Sequence, residues 1–260
     1  MNMRNTILEK FKAGEKTVGA FAQLRSPRAV EALAIAGLDY IILDGEHSPT
    51  DACELEAMLK AAQAHNMPVL YRIGDISRVS VLHALDLGVA GIIVPDVKGV
   101  DDVKRLVEYS KFAPTGERGY CPTGDGDYGF GEAFKDGMRA YMDAANENAM
   151  LIPQCETVGC LEHIEEIAAM DGVDGIQVGP FDLSVSMGIP GEFNNPEFKQ
   201  AIARIIKACG DNHIFLGGYA VDVAAAKANF AAGYDSMAVG TDIPVLIGAY
   251  RDIVCGVKGK

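Results

Sequence analysis

Eight short apolar runs recur along the chain, each bounded by turn residues and followed by a segment of helical period, and this alternation restricts the fold more than any other feature. The runs are VGAFAQL 18–24, YIILD 40–44, PVLYRI 68–73, GIIVP 91–95, MLIPQCE 150–156, GIQVGP 175–180, IFLGGYA 214–220 and SMAVGTD 236–242. They are nearly continuous in apolar residues, as strands are when a parallel sheet is covered on both faces. The helical segments carry their own punctuation. In 26–37, Ser26 stands at the N-cap, Pro27 at the first helical position, Val30, Leu33 and Ala34 on one face, and Gly37 at the stop. Segments 77–88, 100–111, 157–170 and 221–233 repeat the plan, with Gly88 and Gly233 as stops.

Eight such units in 260 residues predict a single domain over 1–260, an α/β closed (β/α)8 TIM barrel rather than an open doubly wound sheet. A hydrophobic fraction of 49% suffices for its core. No GxGxxG follows the first run, which removes the main support for a dinucleotide fold. A formal charge of −13 without a Lys/Arg run excludes a nucleic-acid partner. No stretch approaches 18 uninterrupted apolar residues, and the charged opening MNMRNTILEKFKAGEK lacks a signal-peptide core, so a cytoplasmic protein with no membrane partner is expected. Cys53, Cys121, Cys155, Cys160, Cys209 and Cys255 form no CxxC pair and read as reduced, structural thiols.

Two connections are long for plain strand-to-helix traffic, 96–149 and 181–213. The first contains APTGERGYCPTGDGDYGFG 113–131, too rich in glycine for a helix, and reads as an active-site loop.

Barrel enzymes place reactive groups at the carboxyl ends of their strands. The polar residues there are Asp44, Glu46 and His47 after the second run, Arg72 closing the third, Asp96 after the fourth, Gln154 and Glu156 closing the fifth, Asp182 after the sixth, and Asp242 after the eighth. Gln154 and Glu156 are two apart on a strand and share a side. Glu156 also suits the N-terminus of a helix capped by Thr157, and Asp182 suits a cap on the short segment LSVSMG. Two acids from neighbouring strand ends would equally suit a hard oxygen site for Mg2+ or Mn2+, and spacing leaves the choice between cap and ligand open. His47, three residues after Asp44, has the makings of a general acid/base. Arg72 either recognises a carboxylate or developing oxyanion, or forms an ion pair with Asp44 or Glu46. His65, His83, His163 and His213 fall on helices or helix-to-strand turns and read as structural.

The motifs LDGEHSP 43–49, YRI 71–73, LDLGVAGIIVPDV 85–97, PTGERG 114–119, PQCET 153–157, GPFDLSVSMG 179–188 and AVGTD 238–242, in this order, resemble the HpcH/HpaI family of class II pyruvate aldolases of the 4-hydroxy-2-oxoheptanedioate aldolase type. The resemblance implies a homohexamer, a trimer of dimers, with C-terminal helices exchanged between paired subunits. It implies Glu156 and Asp182 as ligands of a divalent metal, Mg2+ or Mn2+ first and Co2+ or Zn2+ as alternatives. Arg72 would stabilise a pyruvate enolate, His47 with Asp44 would move protons through a water, Gln154 would line the pyruvate pocket, and Gly179 and Pro180 would contact the substrate. Asp86 would reach a neighbouring subunit's site, and Arg118 and Phe181 would lie near the aldehyde portion.

The implied reaction is reversible cleavage of a 4-hydroxy-2-oxo acid, the small-molecule partner, to pyruvate and an aldehyde. No lysine stands at a strand end, which weighs against a Schiff base. Two departures bear on the substrate: YCPTGDGDYG 120–129 stands where the family commonly carries an Arg-containing, Ala-rich segment, and Phe181 where a small residue is common. A metal-dependent acyl-CoA/2-oxo acid condensing or cleaving enzyme, and a barrel that binds a 2-oxo acid without turnover, are the alternatives.

Overall fold

The computed structural model describes residues 5–48 and 50–259. The first four residues of the charged opening, and Pro49 of the motif 43–49, lie outside the described residues. Strands β1 (Thr17–Ala22), β2 (Tyr40–Asp44), β3 (Val69–Arg72), β4 (Gly91–Val94), β5 (Met150–Cys155), β6 (Gly175–Val178), β7 (Phe215–Ala220) and β8 (Ser236–Thr241) pair in parallel in chain order, and β8 closes on β1. All eight runs read from the sequence are strands of this (β/α)8 barrel, with ends displaced by one or two residues.

Around it lie α1 (Thr6–Lys12), α2 (Pro27–Ile35), α3 (Ala52–Ala64), α4 (Arg78–Leu87), α5 (Val100–Ser110), α6 (Met138–Asn148), α7 (Val158–Glu162), α8 (Ile164–Ala168), α9 (Pro180–Ser186), α10 (Pro196–Asn212), α11 (Val223–Ala232) and α12 (Asp242–Lys258). Ser26 holds the N-cap position of α2 but its side chain makes no capping bond. Gly88 ends α4 at a φ of 89°, a left-handed conformation that an L side chain resists. The single helix expected over 157–170 is two, because the backbone at His163 leaves the helical region. The break lets α7 start at the carboxyl end of β5 while α8 turns Ile164 and Ile167 into the core.

Strand alternation sorts the interior. One set of side chains packs outward against the helices, among them Ile41, Leu43, Val69, Ile92, Leu151 and Ile176. The other fills the barrel: Tyr40, Ile42, Leu70, Ile93, Ile152 and Phe215, with Ile7, Leu8 and Phe11 of α1 closing its amino end. Asn5 caps α1 and ties it down, its side-chain amide donating to the carbonyls of Ala90 and Asn148. The same alternation carries Asp44, Arg72, Gln154 and Gln177 inward at the opposite, carboxyl end, where Asp44 is in register with Arg72 and Gln154 with Gln177.

The long connections are occupied. Residues 96–149 hold α5, a run of tight turns at Gly124–Gly129 and Glu132–Phe134, and α6. Residues 181–213 hold most of α9 and α10.

Candidate active site

Arg72 is fixed before any ligand arrives. Its Nε donates to Asp44 Oδ1 at 3.0 Å and its Nη2 to Asp44 Oδ2 at 2.9 Å, a bidentate pair with both residues buried. Asp44 also accepts the Gln23 side-chain amide at 2.9 Å and the backbone N–H groups of Glu46 and His47. Burial works against this carboxylate, yet Arg72, Gln23 and the His47 amide outweigh it and hold its pKa below the ordinary value. The ion pair that the sequence offered as an alternative role for Arg72 is therefore present, and to both acids. Arg72 Nη1 lies 3.1 Å from Glu46 Oε2, out of line for a hydrogen bond, and that oxygen is sealed from solvent with no hydrogen-bond partner.

The His47 imidazole is exposed, and its carboxylate neighbour is Glu46, 3.7 Å from Nε2. Asp44 reaches His47 only through the backbone amide. The turn after β2 thus spends Asp44 on main-chain amides, Gln23 and Arg72, and the carboxylate beside the ring is that of Glu46.

Glu156 follows β5 and is buried. Its Oε1 accepts the Asp96 N–H at 2.7 Å, and its Oε2 the Gln154 amide. Burial raises its pKa, and the nearby charges of Glu46 and Asp182 raise it further against those two donors. Burial likewise raises Glu46, with Asp44 and Asp182 adding to it and Arg72 and His47 opposing. Acids from the ends of β2 and β6 are thus close enough to Glu156 at the end of β5 to disfavour its ionisation, and Asp182 acts on Glu46 in the same sense. Gly179 leaves them room, since a Cβ there would stand 2.6 Å from Glu156 Oε2 and 3.0 Å from Gln154 Nε2.

Thr157 is the N-cap of α7, as the sequence suggested, its Oγ accepting the Cys160 N–H at 3.0 Å. Asp182 is not a cap. Helix α9 begins earlier, with Gly179 at the N-cap and Pro180 next, which puts Asp182 in the first turn, exposed and accepting no hydrogen bond among the described residues. Phe181 beside it is exposed and rests edge-on against Phe193 and Tyr219.

Asp86 and Arg118 are brought together, but elsewhere. Arg118 Nη2 donates to Asp86 and Asp125 at 2.9 Å each, and its guanidinium lies 4.7 Å over the Phe112 ring. Asp125 also accepts the Tyr141 hydroxyl at 2.5 Å and the Thr123 hydroxyl at 2.9 Å. This group lines a pocket with Pro68, Val69 and Ala90, so it sits at the amino end of its own barrel, away from Asp44 and Glu156. The segment 113–131 is anchored there too, with the Glu117 and Arg118 amides donating to the carbonyls of Glu108 and Lys111. It does not join the rim of its own barrel.

Three contributors escaped the reading of the sequence. Gln23 has a signal of sorts, lying one residue beyond β1. Gln177 could have been found as the in-register neighbour of Gln154. The Asp96 N–H had no side-chain signature, because what matters is its backbone at a φ of 54°, while its carboxylate points away to Lys98. Asp242 is structural at this rim, accepting the backbone amides of Gln23 and Leu24 at 3.0 Å.

The HpcH/HpaI aldolase/citrate lyase family model matches residues 17–249. The chain belongs to that family. A hydroxypyruvate/pyruvate aldolase of Paraburkholderia phytofirmans is 32% identical over 260 residues, covering 98% of each chain. A 5-keto-4-deoxy-D-glucarate aldolase of Enterobacter sp. (strain 638) is 31% identical, covering 98% of this chain and 100% of the relative. The solved structure of an HpcH/HpaI aldolase/citrate lyase family protein from Burkholderia cenocepacia J2315 superimposes with a TM-score of 0.90 at 30% identity, over 98% of this chain and 100% of that one. As a member of the HpcH/HpaI family the protein is an aldehyde-lyase, a class II aldolase.

Proposed function

We propose that this aldolase is divalent-metal-dependent and reversibly cleaves a 4-hydroxy-2-oxo acid to pyruvate and an aldehyde. The observation that carries the reading is the set of acids Glu46, Glu156 and Asp182 gathered beside a pre-locked Arg72, with Glu46 Oε2 buried and without a hydrogen-bond partner. Among the described residues no group of three or more His, Cys, Asp or Glu is already gathered at metal-binding spacing. A hard cation held by Glu156 and Asp182, with its other positions left to water and substrate, fits that donor set and would relieve the repulsion. Mg2+ or Mn2+ suits all-oxygen ligands best; Co2+ or Zn2+ could substitute.

When bound, the ion would polarise the 2-oxo group and offset enolate charge. Nε and Nη2 of Arg72 are committed to Asp44, and Nη1, which makes an ion pair but no hydrogen bond with Glu46, is the donor left for the same oxygen. The exposed His47 imidazole takes the 4-hydroxyl proton, and Glu46 beside it favours the imidazolium that results. The C3–C4 bond then breaks, C4 becomes the aldehyde carbonyl, and the bond's electron pair enters the pyruvate enolate, which is protonated at C3. Gln154, Gly179 and Pro180 hold the pyruvate half. Asp86 and Arg118, at the far end of their own barrel, would serve this chemistry only across a subunit boundary, in a homohexamer.

Retro-aldol pyruvate release, coupled to lactate dehydrogenase, tests the reading. Chelator should abolish it and Mn2+ or Mg2+ restore it, and Asp182→Asn should lower it by about 10²-fold or more with an unchanged melting curve. Full activity in metal-free buffer, or normal turnover by Asp182→Asn, would sink the mechanism.

A further inference from the structure

The barrel mouth is divided. Its acids and Arg72 come from the ends of β2, β3, β5 and β6, whereas β1 and β7 bring aromatic rings. Phe21, on the inner face of β1, lies under the Arg72 guanidinium with 4.9 Å from ring centre to Cζ. Tyr219, on the inner side of β7, meets Phe21 edge-on at 6.1 Å. Phe181 leans over Tyr219 at 6.0 Å, and Phe193 closes on Phe181 at 5.2 Å with the planes at 89°. A row of rings therefore runs outward from the group that would hold the enolate oxygen. Its inner end is buried, Phe21 being 8% exposed, and its outer end is open, Phe181 being 48% and Phe193 37% exposed.

We propose that this row is the subsite for the substituent at C4 of the substrate, and that it takes an uncharged, apolar group, aryl or branched alkyl, in place of one ending in a second carboxylate. The proposal rests on the aldolase reading for the word substrate, and on the rings alone for the chemistry of the group. Contiguous exposed aromatic surface at the lip of a polar site marks a place where a ligand recovers the cost of hydrating those rings. Edge-to-face contact holds the rings of Phe181 and Phe193 at right angles, and Phe193 is backed by the buried Phe198 at 5.5 Å, so the exposed side of Phe181 is the surface open to a further ring or a branched chain. A carboxylate placed there would meet the electron-rich faces of the rings and the charge of Asp182, with no cation supplied by the row. Two cations at the same end of the barrel already carry acids: Arg25 pairs with Glu54 and Lys98 with Asp96. Phe181 thus has a role that its neighbours Tyr219 and Phe193 share.

Non-cleavable 2-oxo acids separate this subsite from the chemistry. Isothermal titration of the full chain with Mn2+ present would compare 2-oxobutanoate, 2-oxo-4-phenylbutanoate and 2-oxoadipate, none of which has a 4-hydroxyl. The phenyl compound should bind about tenfold tighter than 2-oxobutanoate, equivalent to ~1.4 kcal/mol, and 2-oxoadipate should gain nothing. Phe181→Ala and, separately, Phe193→Ala should bring the phenyl-to-methyl affinity ratio towards one while circular dichroism and melting stay at wild-type values. Equal affinities, a preference for 2-oxoadipate, or a ratio that survives in both folded variants would overturn the subsite. The same outcome follows if a neighbouring subunit covers the rings, since the phenyl group then finds no face. A phenyl advantage in a protein that releases pyruvate from no 4-hydroxy-2-oxo acid would remove the aldolase reading and leave the subsite standing. Pyruvate release without any phenyl advantage would remove the subsite alone.

Discussion

Glu156 and Gln154 converge over the α-carbon of Gly179, which leaves no room there for a side chain. The φ of Gly179 is −100°, so the backbone there does not require glycine. The constraint is the carboxylate 2.6 Å from where a Cβ would be. Gly179→Ala should therefore leave the barrel folded, cost about 1–3 kcal/mol in thermal or denaturant melts, and displace Glu156 enough to lower pyruvate release at least tenfold. An alanine variant with wild-type turnover would show that Glu156 does not need its present position. The raised pKa values of Glu46 and Glu156 make a second point at this scale. A carboxyl group whose pKa is raised on folding stabilises the protein below its ordinary pKa, and that contribution is lost as pH climbs through the raised value. A divalent ion held by Glu156 must displace its proton, so Mn2+ affinity should rise as pH climbs through the raised value, by up to about tenfold per pH unit for each proton released. Titration of the melting temperature with Mn2+ at several pH values measures this, and a pH-independent affinity would count against Glu156 as a ligand. The acids, Arg72 and Gln154 were legible in the sequence because strand period and strand end decide where a side chain points. The partner of the His47 ring was not, since a turn chooses between Asp44 and Glu46 through backbone amides that no residue type announces.

Strands and helices were legible to different degrees for a physical reason. A barrel strand buried on both faces has a continuous apolar signature, so all eight could be read, whereas the helices are recognised by punctuation that tertiary contacts can override. His163 breaks a segment whose composition is helical throughout. The segment 113–131 was read correctly as non-helical but its location was not legible, because it is fixed by pairs far apart in sequence, such as Arg118 with Asp86 and Asn146 with Phe112. Lys111, at the end of α5, is one such pin. Its side chain is 3% exposed, and its Nζ donates to the carbonyls of Asn146 and Ala149 at 2.9 and 2.8 Å and to Asp174 at 2.7 Å. Asp174 in turn accepts the Leu151 amide, so one ammonium ties α5 and α6 to the starts of β5 and β6. Lys111→Met should cost about 2–4 kcal/mol in urea melts, because it leaves a partly buried carboxylate and two carbonyls without their donor. The double change Lys111→Met with Asp174→Asn should recover part of that loss. A single variant as stable as wild type would mean that Lys111 does no more than fill space.

At the scale of the molecule, closure of the barrel follows from the number and order of the strands, but nothing in an amphipathic helix says which body its apolar side will meet. Helix α12 makes that question concrete. Asp242 at its start is buried and clamps the amides of Gln23 and Leu24, while every described residue from Ile243 to Gly259 is exposed. Those residues include Val245, Leu246, Ile247, Tyr250, Ile253, Val254 and Val257, a load of apolar surface far beyond scattered exposed side chains. Hydrating it is unfavourable by about 25 cal/mol per Å2, so a second copy of the chain that buries it gains directly. The homo-oligomer proposed above thus has a physical driving force in α12. Leu246 and Ile253 are seven apart and share a helix face. Replacing both by Asp should convert the assembly to a smaller species in size-exclusion chromatography with light scattering. The same change should lower pyruvate release at dilute protein even though neither residue lies at the barrel mouth, since Asp86 and Arg118 would no longer reach a neighbour. A wild-type protein that elutes as a monomer at full activity would sink the idea, and a dissociated variant that keeps full activity would confine Asp86 and Arg118 to a structural part.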